Sequence, residues 1–232
     1  MIETPVIAID GPSGSGKGTL SRSLAVELGW HWLDSGAIYR VLALAAIERG
    51  LDESQPGAVV ALAETLDIKF NKIKELQNDA QTLMDDRDVT DAIRAENCGQ
   101  LASRLAAVPA VRTALLDLQR RFRQPPGLVA DGRDLGTVVF PDAEFKIFLD
   151  ASAQARAERR YKQLKQKGID VSLTTLAQDL EERDRRDRER TVAPLKPAPD
   201  AQIVDSTGMD IPTVIQHVLT LVQTRLVRTT MN

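Results

Sequence analysis

Nine residues near the start of the chain carry its densest chemistry: Gly11-Pro12-Ser13-Gly14-Ser15-Gly16-Lys17-Gly18-Thr19. Glycines tolerate backbone angles that a Cβ forbids, so successive N–H groups can turn into one concavity. Lys17 comes next and opens a predicted helix, whose positive dipole end adds to the ammonium charge. Such a loop grips phosphate, with the lysine reaching the outer groups of a polyphosphate. An exposed lysine is expected at that position. The hydroxyl that commonly follows the lysine, where it can meet a metal, is displaced by one residue to Thr19. A turn that merely links strand to helix is the plainer alternative. The fixed glycine spacing, the lysine and the apolar run from Pro5 to Ile9 weigh against it.

Three further segments pair charge with placement. In Asp34-Ser35-Gly36-Ala37-Ile38-Tyr39-Arg40, Asp34 or Ser35 can cap the following helix, whereas Tyr39 and Arg40 have no capping role and suggest a ligand surface. Asp131-Gly132-Arg133-Asp134 puts a carboxylate at a strand end and an arginine in a glycine-flanked turn. Asp131 suits work through a metal-bound water, and the planar fork of Arg133 suits phosphate. The wholly charged run 181–190 is ordinarily a solvated helix laced with ion pairs. Its helical spacing, however, sets Arg183, Asp187 and Arg190 on one stripe that could meet phosphates and a sugar hydroxyl. Trp30 and Trp32 are expected to pack in the core or at a sheet edge. His31 and His217 are too isolated for a metal or catalytic pair, and Cys98 suits a small buried apolar position.

Positioning these groups calls for parallel strands with active groups at their carboxyl ends. Strands are predicted at Pro5–Asp10, Trp30–Leu33, Gly127–Asp131, Phe145–Asp150 and Ala201–Asp205. Helices are predicted at Lys17–Leu28, Gly36–Arg49, Val111–Arg123, Ser152–Lys167, Leu173–Arg190 and Ile211–Leu226. This alternation predicts an α/β protein, a parallel sheet covered on both faces. Leu66–Val89 breaks it and fits short antiparallel strands in an inserted lobe, or else a solvent loop. Pro194, Pro197 and Pro199 make Thr191–Asp200 an extended linker.

The chain has 232 residues, a net charge of −3 and a pI near 5.5. That length suits one domain with small inserted lobes, and the charge argues against a protein that coats nucleic acid. Arginines are dense only locally, which fits capture of a small anion. A single cysteine permits no internal disulfide and suits a reducing compartment. No signal peptide or membrane span is expected, so a soluble cytoplasmic protein is.

The Gly16-Lys17-Gly18-Thr19 ending resembles the P-loop of nucleoside monophosphate kinases. Together with Leu33–Arg40, Asp131–Thr137, Arg183–Arg190 and Val192–Pro197, in that order, it resembles the bacterial cytidylate kinase family across nearly the whole chain. The resemblance implies a three-layer P-loop fold with a five-stranded parallel sheet. It divides one kinase domain into a core (about 1–63, 98–150 and 201–232), a monophosphate-binding insert (about 64–97) and a helical lid (about 151–200). ATP-dependent phosphorylation of CMP and dCMP follows, with Mg²⁺ accompanying ATP and no nucleic-acid or membrane partner, in a monomer. The metal is then held through phosphates and waters, near Thr19 and Asp131, rather than by direct protein ligands.

Carried onto this sequence, Gly11 through Thr19 hold the ATP phosphates, and Arg159 approaches adenine. Arg40, Arg133 and Arg190 hold the acceptor phosphate. Ser103, Arg112 and Asp134 face cytosine, Arg183 and Asp187 lie near the ribose, and Ser35 and Tyr39 share the pocket. Lys17, Asp131, Arg133, Arg183 and Arg190 are the expected catalytic groups. Two other possibilities remain open at this point. One is a P-loop kinase for UMP, or for a non-nucleotide metabolite such as shikimate, the latter disfavoured by the enlarged insert and Asp187. The other is a nucleotide-driven switch, for which the chain lacks a guanine-reading Asn-Lys-x-Asp segment.

Overall fold

The computed structural model describes residues 4–70, 81–166 and 168–230. Its first strand, β1 (Val6–Asp10), is buried along its whole length. Val6 and Ala8 point into one apolar cluster and Ile7 and Ile9 into another, because strand side chains alternate between faces. A strand apolar on both faces needs cover on both, and the rest of the chain supplies it.

After the phosphate loop come α1 (Lys17–Leu28), β2 (His31–Asp34), α2 (Ser35–Glu48) and α3 (Pro56–Thr65). Next are three short strands, β3 (Ile68–Phe70), β4 (Thr82–Met84) and β5 (Arg87–Asp88), then α4 (Glu96–Leu105) and α5 (Pro109–Arg120). The chain continues through β6 (Leu128–Gly132), β7 (Phe145–Asp150), α6 (Ala153–Gln166), α7 (Leu173–Glu189), β8 (Gln202–Asp205) and α8 (Ile211–Thr230).

Five strands form one sheet in the order β2-β6-β1-β7-β8, and every pairing in it is parallel. Helices α2, α4 and α5 cover one face, while α1 and α8 cover the other. The five strands lie within a residue of their sequence-predicted ends. Strands β3, β4 and β5 form a separate antiparallel sheet where the inserted lobe is expected. The stretch 71–80 of that lobe lies outside the described residues, as does Lys167, the expected end of α6.

Helix α3 falls where the sequence pattern predicts no element. Pro56 stands in its first turn, a placement that proline's fixed φ favours. Its ten residues are mostly small or apolar, so they show no polar stripe to mark a helix. The proline-rich segment forms neither helix nor strand, as expected, and turns back so that the Leu195 amide donates to the Asp187 carbonyl at 2.8 Å. Trp30 and Trp32 pack against the core cluster beneath α1.

Candidate active site

The loop between β1 and α1 lies at the carboxyl edge of the sheet. Gly11 has φ +148°, and a Cβ there would stand 2.1 Å from the Leu149 carbonyl oxygen. No other residue lets the loop leave β1 so close to β7. Lys17 corrects one expectation, because it is buried, with only 5% of its surface exposed. Its Nζ donates to the Pro12 carbonyl at 2.7 Å and to Ser15 Oγ at 3.4 Å. Burial, reinforced by the nearby Arg133 charge, holds the Lys17 ammonium well below its usual range, despite opposition from Asp131 and Asp10. The loop's own carbonyl stores the lysine beneath it.

A cavity of about 170 Å³ opens beside the loop at Ser13. All ten residues expected to hold the acceptor line it. Ser35, Tyr39 and Arg40 come from α2, Ser103 from α4 and Arg112 from α5. Arg133 and Asp134 follow β6, Arg183 and Asp187 lie on α7, and Arg190 is just beyond it. Asp131 and Asp34 complete the charge, giving five arginines against four aspartates.

Local structure explains the placement. Asp34 caps α2 by accepting from the Ala37 amide at 3.0 Å, which frees Ser35 Oγ to donate to Gln119 at 2.8 Å. Arg40 donates to the Ile93 carbonyl at 2.7 Å and lies against Gly99, where a Cβ would come within 2.9 Å of its guanidinium. Arg112 pairs with Asp134 in the buried wall, and its guanidinium sits 5.7 Å from the Tyr39 ring centre. Two of the three residues expected to face a base therefore meet each other here. Arg133 Nε donates to Asp187 Oδ2 at 2.8 Å. Ser103 Oγ accepts from Arg186 at 2.8 Å.

Crowded cations leave a signature. Burial, together with repulsion from Arg133 and Arg40, lowers the Arg183 pKa to about 10. Burial and Arg112 push Arg190 down in the same way. Burial alone would raise the Asp187 carboxyl, but Arg133, Arg190 and Arg183 outweigh it and hold it low. Tyr39 Oη, Arg183 Nε, and Arg190 Nε and Nη2 are buried without a hydrogen-bond partner. Unmet donors at that density are costly unless an anion with several acceptor oxygens answers them.

Asp131 sits beside Asp34 across paired strands, and burial with the Asp34 charge pushes its carboxyl up. The hydroxyl on its carboxylate is that of Ser21, at 2.6 Å, whereas no side-chain bond joins Thr19 to it. Arg159 lies elsewhere, on the far side of the loop. It donates to the Ser15 carbonyl and Ser206 Oγ, each at 3.2 Å, and to the Ser206 and Met209 carbonyls. With Ser15, Gly16, Leu20, Ile211 and Val214 it lines a second, smaller hollow.

Several supporting residues went unnoticed in the sequence. Asp10, at the end of β1, accepts the Leu135 and Gly136 amides at 2.8 Å each and anchors the turn that carries Asp134. Its carboxyl is raised to about 6, chiefly by burial. Arg156 pairs with Asp184 at 2.6 Å inside the protein and donates to the Ser13 carbonyl at 2.8 Å, while the Ser13 amide donates to Asp184 at 3.4 Å. Strand-terminal aspartates and the arginine-dense stretch 156–190 were the available signals. Cys98 is buried, with Sγ 3.1 Å from the Arg40 carbonyl.

A glycine-rich loop and helix at the carboxyl edge of a parallel sheet, facing an arginine-lined cavity, define a P-loop phosphotransferase. The cytidylate kinase family model matches residues 7–224. A cytidylate kinase from Methylococcus capsulatus is 58% identical over 219 residues, covering 94% of this chain and 97% of that one. One from Aeromonas salmonicida is 56% identical over 222 residues, covering 96% of this chain and 95% of the relative. An uncharacterized protein from Eubacterium ventriosum has a similar solved structure. Its TM-score is 0.51 at 11% identity, with 96% of this chain and 99% of that one covered, a likeness of fold alone. The chain belongs to the cytidylate kinase family.

Proposed function

We infer that the protein transfers the γ-phosphoryl group of ATP to CMP or dCMP, forming the diphosphate and ADP. The observation that carries this is the cavity beside Ser13, where five arginines and several unmet donors await an anion. An oxygen of the acceptor phosphate forms the new bond to the γ-phosphorus, while the bond to the β,γ-bridging oxygen breaks and leaves with ADP. No covalent enzyme intermediate is needed, because that acceptor oxygen is already a nucleophile. Catalysis is then in-line positioning and charge neutralisation.

Residues 11–19 bind the ATP phosphates, and Lys17 leaves the Pro12 carbonyl for them. Arg40, Arg133 and Arg190 hold the acceptor phosphate. Ser103, Arg112 and Asp134 recognise cytosine, Arg183 and Asp187 the ribose, and Ser35 and Tyr39 fill out the pocket. Arg159 and its hollow receive adenine. Mg²⁺ bound with ATP supplies positive charge at the transferring oxygens. The raised Asp131 carboxyl and the adjacent Asp34 carboxylate fit such a dication, and with Thr19 they would hold its waters.

Strands β3, β4 and β5, within 64–97, act as the monophosphate-binding insert. Residues 151–200 act as a lid whose closure excludes water as a competing acceptor. The remainder is the core of a cytoplasmic monomer. Among the described residues no helix is long and apolar enough to cross a membrane.

The test is an ADP-release assay with CMP, dCMP, UMP, AMP, GMP and shikimate as acceptors. CMP and dCMP should dominate. ADP release that is independent of acceptor, or strongest with shikimate, would overturn the assignment.

A further inference from the structure

Trp32 and Ser21 join the active site by a route that the proposed mechanism does not use. The Trp32 indole Nε1 donates to Ser21 Oγ at 2.8 Å, and Ser21 Oγ lies 2.6 Å from Asp131 Oδ2. We propose that Trp32 and Ser21 are positioning residues that form a two-bond relay fixing the Asp131 carboxylate for phosphoryl transfer. The proposal rests on the catalytic role inferred for Asp131.

Direction in this relay follows from donor inventory. An indole N–H can only donate, so Ser21 Oγ accepts there and keeps its own proton for another partner. Two partners are in reach: the Gly18 carbonyl at 3.2 Å and the Asp131 carboxylate. A helical serine without other company commonly bonds back to its own helix. Here the shorter bond to a carboxylate wins, because a charged acceptor roughly doubles the strength of such a bond. Asp131 Oδ2 is thereby occupied, which leaves Oδ1 for the cavity that Asp131 lines.

The indole is itself held. Its ring meets Phe70 of β3 edge-on, with centres 5.9 Å apart, and Phe70 packs on Phe122 with centres 5.3 Å apart. Ser21, the middle of the relay, is fully buried on α1 and Asp131 is buried too, while Trp32 is half-buried. The other charged groups acting on Asp131 are Asp34 from β2, Lys17 from α1 and Arg133 beyond β6. Asp34 repels the carboxylate from one side while Lys17 and Arg133 attract it from another. The Ser21 hydroxyl is the neutral group that settles its orientation between them.

A purely structural stitch between β2, α1 and β6 would show the same bonds. A mutant cycle separates the two roles. Trp32→Phe keeps an aromatic ring against Phe70 and removes the N–H together with part of the indole, and Ser21→Ala deletes the hydroxyl. Each is expected to lower kcat with CMP by about five- to tenfold, the scale of one ordinary hydrogen bond, with KM for CMP and ATP within about twofold. In an Asp131→Ala background neither should lower kcat further. Thermal melts of all variants confirm that folded protein is compared.

Equal losses in both backgrounds would overturn the relay, since its effect would not pass through Asp131. Unchanged kcat in Trp32→Phe and Ser21→Ala, beside a large loss in Asp131→Ala, would overturn the relay and leave the Asp131 role standing. An Asp131→Ala enzyme with undiminished kcat would remove both.

Discussion

Replacing Arg112 with methionine keeps an unbranched apolar stem and deletes the guanidinium. The Arg112 and Asp134 side chains are 7% and 6% exposed, and each is the other's closest countercharge. Removing one member of a buried ion pair generally costs about 3–5 kcal/mol, because the survivor is left charged and unpaired. Arg190 Nη2 remains 3.8 Å from Asp134 and keeps part of the compensation, so a stability loss of about 2–3 kcal/mol is expected.

The catalytic effect should be larger and selective. Cytosine offers acceptors at N3 and O2 to the Arg112 donors, and charge-assisted bonds contribute about 1.5–3 kcal/mol each. Loss of both lowers kcat/KM for CMP on the order of 10²- to 10⁴-fold. Uracil carries an N–H at position 3 and opposes a carbonyl to Asp134, so UMP has less to lose. The CMP/UMP ratio of kcat/KM should contract by about tenfold or more. Coupled ADP release with both acceptors, measured beside Tm, checks this. A lowered Tm with an undiminished CMP/UMP ratio would refute the reasoning and leave Arg112 as the structural partner of Asp134.

Two further outcomes are expected. Asp187→Ala strips the counter-charge that accepts from Arg133 at 2.8 Å and lies 3.9 Å from Arg190. It should raise KM for CMP more than for dCMP and lower Tm, with sulfate restoring part of the Tm. Equal kcat/KM losses for the two nucleotides would separate Asp187 from the 2′ side of the sugar. The buried Lys17 ammonium has its pKa depressed in the empty loop, and bound phosphates must raise it. A higher pKa in the loaded than in the empty state means proton uptake when ATP binds at pH 8. Calorimetry in buffers of contrasting ionisation enthalpy reads that uptake, and Lys17→Ala should abolish it along with most turnover. Net proton release on binding would contradict the burial argument.

What the sequence made legible was whatever depends on local spacing. The glycine–lysine loop, the strand ends and the Arg183–Asp187–Arg190 stripe each declare themselves within ten residues, and the fold brings them together. Partnerships were not legible. Arg112 and Asp134 read as two separate base-facing groups, yet they lock together across the cavity wall. Lys17 read as exposed because sequence reports its charge but not the Pro12 carbonyl that sequesters it. The roles of Asp10, Ser21, Gln119, Arg156, Asp184 and Arg186 depend on which element lands against which. Trp32 read correctly as packing, but nothing local shows that its N–H would find a serine on α1.

The grip of Arg156 and Asp184 on Ser13 also bears on how the molecule comes to exist. Those bonds span 143 and 171 residues of chain, and β1 has no sheet neighbours until β6 and β7 are made. Loop closures of that length are entropically slow, which places this topology among the slower folders for its size. A chain emerging from synthesis therefore carries its phosphate loop from the outset without a sheet to mount it on. Nucleotide can stabilise only the nearly complete protein, and truncation products should gain no protection from ATP. The strand at the middle of the sheet is the first of the five to be made, yet it stays unpaired until β6 and β7 follow.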